Sequence, residues 1–430
     1  MIRSRTAKNA AWIIGCRIAQ AGLALVVTMI SARYLGPSGY GLINYAASIV
    51  AFFVPVMQLG LNSTLVQEVI QEPEREGETV GTALVLTLFC SGVCVAGVGA
   101  FTAVANAGEK ETIWVCILYS LLLVFRALEM IHYWFQAKLL ARYTSVAVLA
   151  AYVIVAAYRI VLLITGCSIY WFAISQAIDV ALIAFAELII YHRLLGQKLR
   201  FSWNRAKKML DISKHYIIPG LMITIFAQTD RVMLKLMVND EAVGFYSAAV
   251  SCASLTAFIF VAVIDSARPS ILEGKKQSGE LFDERMKLLY AIIIIFALLQ
   301  SGFITLFAKL IIAILYGSEY GASVQALQIV VWYTTFSYLG AVRDIWILAE
   351  NKQKYLLMIN LSGVVVNVLL NAGLIPHYGI NGAAVASLVT QFFANVVIGW
   401  TIPAIRPSNR LMMKSLQPKF LLSCVKKLSD

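Results

Sequence analysis

Twelve stretches of about 20 mostly apolar residues, the length needed to cross a bilayer, follow one another through this sequence with short polar breaks between them. They run approximately from 11 to 32, 43 to 62, 80 to 104, 113 to 135, 146 to 166, 170 to 191, 216 to 238, 244 to 264, 288 to 308, 324 to 349, 356 to 375 and 380 to 402. No other feature limits the fold so strongly, because a chain in hydrocarbon must satisfy its backbone N–H and C=O groups internally. The composition agrees: 60% hydrophobic and 13% charged, against about 25% charged in soluble chains. The expected fold is an all-α polytopic membrane protein of about twelve transmembrane helices.

Arg3, Arg5 and Lys8 precede the first span as they would in a signal peptide. The apolar run is too long for that and no small-residue cleavage site follows, so the span is expected to be retained. An even number of spans puts both termini on one side. With that side cytoplasmic, three of the 35 Lys and Arg fall outside (Arg33, Lys110, Lys309), six within spans and 26 in the cytoplasm, as the positive-inside rule requires. The net charge of +12 therefore belongs to topology and contact with anionic membrane lipid, and no nucleic-acid partner is expected. The seven Cys form no CxxC and the four His are dispersed. Neither a disulfide framework nor a metal site is indicated.

The longest outward loop, 308 to 323, has about 15 residues and leaves no room for an extracytoplasmic catalytic domain. The chain is expected to be a carrier and not an enzyme. The longest cytoplasmic loop is basic and divides the chain into an N-terminal six-helix lobe (1 to 192), a linker (193 to 215), a C-terminal six-helix lobe (216 to 402) and a basic tail (403 to 430). A shift of 203 positions relates the halves: Gly41 falls on Gly244, Asn44 on Ser247, Ser48 on Ser251, Asn62 on Asp265 and Ser63 on Ser266. Later the offset becomes 212, where Ala137 to Tyr143 overlies Ala349 to Tyr355. Six spans per half make the repeat parallel, with a pseudo-twofold along the membrane normal. That predicts two lobes around a central cavity, suited to alternating access.

Charge inside a membrane costs about 2.5–3.5 kcal/mol per Arg, Lys or Asp at a helix centre on the insertion scale, so each such residue is a site candidate. Arg17, Gln20, Thr28 and Ser31 share one helical face in the first span, which holds no acid. The seventh span repeats the theme with Thr224, Gln228, Arg231 and Lys235. Arg17, Gln20, Gln228, Arg231 and Lys235 are the expected anion site, because guanidinium groups hold diphosphate oxygens bidentately. Arg17 lies near enough to the cytoplasmic end to snorkel instead. The remaining charges suggest cavity pairs or ion-coupling groups: Arg126 with Glu129, Arg159 with Asp179, Asp230 beside Arg231, and Arg343 beside Asp344. Glu187 is a further intramembrane acid. Such acids can serve in structural ion pairs or as carriers for a coupled proton or sodium ion; no other cofactor is expected.

The run ARYLGPSGYGLINYAASIVAFFVPVMQLGLNSTL, Ala32 to Leu65, resembles the start of the bacterial Wzx-type oligosaccharide flippases of the multidrug/oligosaccharidyl-lipid/polysaccharide (MOP) superfamily. The similarity includes Lys8 and Asn9 before the first span, the LGP-x-x-YG turn at Leu35 to Gly41, and Leu59 and Gly60 closing the second. The run from Tyr133 to Tyr143 is also similar. Some members have fourteen spans where twelve are read here. The resemblance implies a carrier of undecaprenyl-diphosphate-linked oligosaccharide in a bacterial plasma membrane, moving it from the cytoplasmic to the outer leaflet for O-antigen, capsule or exopolysaccharide. A polysaccharide polymerase and a chain-length regulator are implied as partners. It also implies a cationic central cavity, which Arg17, Arg231 and Lys235 would supply.

A drug/cation antiporter of the same superfamily is the main rival, and an excess of intramembrane acid would favour it. Six bases against five acids lean the other way. A major-facilitator carrier lacks its signature between spans two and three. A membrane-embedded glycan polymerase or ligase lacks the large outward loop it needs. A structural scaffold would leave the matched polar stripes unexplained.

Overall fold

The computed structural model describes residues 2–194, 196–417 and 420, with side chains from residue 22 onward. Secondary structure among them is helical throughout. Eight helices are long and apolar enough to cross a membrane, nine if a pair bent by 44° is one span. Two of the eight, Gly22–Gln71 and Lys354–Thr401, hold 50 and 48 residues, or about 70 Å each at 1.5 Å per residue. That is more than twice the hydrocarbon thickness, so each crosses twice.

In α1 (Ile2–Met57) the break is Gly36, at φ 66° and ψ 175°, a region open in practice to glycine alone. Pro37 follows, which the first position of a new helix tolerates. Thr28 and Ala47 would lie about 28 Å apart on a straight helix, yet both line one cavity of about 170 Å³. The chain therefore doubles back at the LGPSGYG turn. In α14 (Lys354–Phe392) the break is Gly379, at φ 53° and ψ −128°. The second arm returns so close that a Cβ on Gly382 would collide with the Leu374 carbonyl oxygen. Splitting both helices and adding α13 (Ser323–Ala349) to the nine spans gives the expected twelve.

The others follow in chain order. α2 (Leu61–Gln71) extends the second arm of α1, and α3 (Glu76–Ala105) makes the third span. The fourth is jointed, with α4 (Lys110–Ser120), α5 (Leu122–Leu128), a 3-10 turn (Glu129–Ile131) and α6 (His132–Ala137). α7 (Ala141–Thr165) and α8 (Ile169–Arg193) pair across Gly166. α9 (Trp203–Met237) begins inside the basic segment between the halves. α10 (Asp240–Ala253) and α11 (Ala257–Gln277) form the bent pair, and α12 (Gly279–Leu315) precedes α13.

The chain divides into two compact units, Met1–Gln228 and Thr229–Asp430. One core of the first unit gathers Leu61, Leu65, Trp134, Phe135, Tyr191 and Met209. A core of the second is built on Phe260, stacked on Tyr338 at 3.9 Å, with Phe282, Tyr290 and Trp346. In the first unit an ion cluster ties α2 to α9. Arg205, almost fully buried, reaches Glu68 and Glu72 at 2.6 Å each, and Lys208 meets the same two carboxylates at 3.0 and 2.9 Å. Just before it, Arg200 N–H donates to the Gly77 carbonyl and Ser202 N–H to Thr82 Oγ1. The segment entering α9 is thereby fastened along the start of α3.

Candidate functional site

In the first unit α1, α4, α7 and α8 surround two adjoining cavities of about 130 and 170 Å³ that share Thr28, Arg159 and Gln176. Arg159 stands at their junction, and its Nε donates to Ser175 Oγ at 3.0 Å. Asp179 lines the smaller cavity with Tyr152, and its Oδ1 is buried without a hydrogen-bond partner. Ser31, Tyr40, Asn44 and Tyr119 line the larger one. Arg159 and Asp179 thus share a chamber as the sequence suggests, but the guanidinium donates its Nε–H to a serine hydroxyl and lines both cavities. A guanidinium so placed can offer a planar fork to a phosphate or carboxylate.

The second unit holds a polar centre of opposite sign. Asp230 is 7% exposed and accepts from Tyr246 OH at 2.5 Å, Asn367 Nδ2 at 3.0 Å, Asn371 Nδ2 at 2.6 Å and also from Ser387 Oγ. These donors come from α10 and from both arms of α14. Arg231, next in sequence, turns to Ser247 Oγ at 3.0 Å. Lys235 meets Asp240 at 2.6 Å. Adjacent helical residues project about 100° apart, so Asp230 and Arg231 serve different neighbours.

Of the other expected positions, Gln228 Oε1 accepts from Ser48 Oγ at 3.0 Å. Arg126 and Glu129 pair at 3.6 Å beside a third cavity. Arg343 is buried, donating to the Ala394 carbonyl at 2.7 Å and reaching Asp344 at 3.3 Å. The side chains of Arg17 and Gln20 lie outside the described residues. Sequence reasoning passed over Ser175, Gln176, Tyr246, Asn367, Asn371 and Ser387. The signal was present: the 212 offset sets Arg159 over Asn371 and Ser175 over Ser387, and Asn367 and Asn371 are one turn apart on one face. No group of three His, Cys, Asp or Glu suited to a metal ion occurs among the described residues.

Membrane-spanning helices throughout, with buried polar groups among them, make this a multi-pass membrane protein. The polysaccharide biosynthesis protein family matches residues 6–275, and the chain belongs to that family. The probable low-salt glycan biosynthesis flippase Agl15 of Haloferax volcanii is 22% identical over 234 residues, covering 50% of this chain and 48% of its own length. The chain thus spans about half the length of the curated relative it matches. Two solved structures share the fold. One is the lipid II flippase MurJ in an inward closed conformation (TM-score 0.72, 13% identity, 98% of this chain and 93% of that one). The other is a multidrug resistance MATE family transporter of the MOP superfamily in an inward-facing conformation (TM-score 0.69, 14% identity, 92% and 96%).

Proposed function

We propose that this protein is a flippase that carries undecaprenyl-diphosphate-linked oligosaccharide units from the cytoplasmic to the outer leaflet, by alternating access, for surface polysaccharide biosynthesis. The observation that carries the reading is the Arg159 chamber in a chain of the polysaccharide biosynthesis family. A diphosphate is a compact anion that an arginine fork binds bidentately in a dry site. Asn44, Ser31, Ser175 and Gln176 offer the hydroxyl and amide groups that sugars need. Arg17 and Gln20, on the first span, and Gln228 are further donors in this proposal, and Arg231 and Lys235 are proposed substrate-binding residues of the second unit. The lipid tail stays in the bilayer while the headgroup passes. Both termini are assigned to the cytoplasm from the distribution of Lys and Arg.

Drug/cation antiport is the second reading, favoured by the unpartnered oxygen of Asp179. Leaflet exchange of a fluorescent lipid-diphosphate oligosaccharide in proteoliposomes separates the two. Exchange by the native chain that is lost in Arg159→Ala and Arg17→Ala supports the flippase. Absence of exchange, with proton- or sodium-driven efflux of small cations, replaces it with the antiporter.

A further inference from the structure

The third cavity of the first unit, about 170 Å³, is lined by Gln58, Arg126, Glu129, Met130, His132 and Tyr133. Behind its wall lies Glu187 of α8, whose side chain has no exposure. His132 Nδ1 stands 2.8 Å from Glu187 Oε1, and the imidazole is 39% exposed. The other carboxyl oxygen, Oε2, is buried without a hydrogen-bond partner. The histidine therefore connects a polar cavity to an enclosed carboxyl group.

The surrounding charges set the proton count. Arg126 on α5 and Glu129 on the 3-10 turn pair at 3.6 Å and cancel. Tyr133 on α6 lines the same cavity. α1 contributes Gln58, α3 brings Glu76, which Lys138 holds at 2.6 Å, and α8 carries Asp179 about two turns from Glu187. With His132 neutral and Glu187 ionised, the pair has a net charge of −1, enclosed and half-satisfied. One proton makes it neutral, whether it rests on the imidazole or on the carboxyl. Purely structural carboxylates are commonly saturated with donors, as Asp230 is. Glu187 instead keeps one oxygen bare and a titratable ring between itself and the cavity.

We propose that His132 and Glu187 form a proton-binding site of the first unit, loaded from the cavity through the imidazole, which couples one proton to each transport cycle. The site rests on the transport reading above for its purpose, though not for its chemistry. Its first test uses the purified chain in nanodiscs, followed by pH-difference infrared spectroscopy. The acid-minus-base spectrum is expected to lose a component in Glu187→Gln, a protonated-carboxyl stretch if the proton rests on Glu187 and an imidazolium band if it rests on His132. In His132→Gln that component should shift its titration. A Glu187→Gln spectrum identical to the native one overturns the proposal, and so does a His132→Gln titration that does not move.

The second test is the ratio of lipid-linked glycan exchange with and without a pH gradient. The native ratio is expected to rise by up to about tenfold per pH unit, the limit for one coupled proton. It should fall to one in Glu187→Gln and His132→Gln, whatever their absolute rates. A variant ratio equal to the native one sinks the coupling. If the native chain moves no lipid-linked glycan, the flippase reading fails alone, because the infrared test still decides whether the proton site exists. Should Glu187→Gln not fold, His132→Gln, altered at a half-exposed ring, carries both measurements.

Discussion

The Arg159 chamber of the first unit and the Asp230 cluster of the second contain residues that align under the 212 offset, and they have opposite characters. The 212 offset sets Arg159 and Ser175 over Asn371 and Ser387. In the first unit the pair is a cation and a hydroxyl beside open cavities. In the second it is an amide and a hydroxyl closed on a carboxylate from α9. A buried anion that accepts from four donors braces its helices, whereas a cation beside a cavity is placed as the proposed contact point needs. On that reading, aligned positions serve as a strut in one half and a contact point in the other.

The sharpest way to break this comparison is to remove each ion in turn. Asp230→Leu would take the shared acceptor from Tyr246, Asn367, Asn371 and Ser387, leaving them only the Tyr246–Ser387 and Asn371–Asn367 contacts, and each buried polar group left unsatisfied costs about 1–3 kcal/mol. A large drop in the thermal unfolding temperature of the purified protein is expected, and an unchanged one would remove the strut. Arg159→Ala should leave that temperature nearly native and reduce exchange of a lipid diphosphate. Truncating a buried charged contact costs about 2–5 kcal/mol, or about thirtyfold or more in rate. Arg159→Lys, which keeps the charge and loses the fork, should recover part of the activity. If Arg159→Ala destabilises as much as Asp230→Leu, both centres are struts.

A smaller effect is expected at the hairpin that brings Thr28 to Ala47 across the chamber. Gly36→Ala would force a side chain into a glycine-only region at a cost of about 1–3 kcal/mol, readable as a lower unfolding temperature together with weaker substrate exchange. Smallest is the ion cluster at Glu72, an exposed group. Hydrogen bonds from Arg205 and then Lys208 hold its carboxyl down at about 2, against an ordinary 4.5. Because the folded value is the depressed one, the contribution of this contact is complete above pH 4.5 and lost as pH falls through about 2. A pH titration of an isotope-labelled Glu72 carboxyl by NMR should show no transition between pH 4 and 5. A midpoint there would mean that the contact is loose.

Much of the fold could be read from local chemistry. Span length is a property of consecutive residues, and the turn at Gly36 is marked by Gly and Pro, whose backbone preferences are intrinsic. The 203 offset rests on small and polar residues such as Gly41 and Gly244. The orientation of charged side chains was not readable. Asp230 and Arg231 are neighbours in sequence, and only the packing of α10 and α14 decides that one meets Tyr246, Asn367 and Asn371 while the other meets Ser247. Likewise, nothing local to Arg159 indicates that Ser175, and not Asp179, takes its Nε.

The cluster of Arg205 and Lys208 with Glu68 and Glu72 joins residues up to 140 positions apart. In polymer terms it is a buckle. Closing a flexible loop of that length costs about 4 kcal/mol in chain entropy, and four short ionic contacts are placed where the loop returns to its start. Since chains fold from the N-terminus during synthesis, the buckle can fasten only after six spans have been made. The buckle thus closes within the first unit, whose last residue, Gln228, lies 20 positions beyond Lys208.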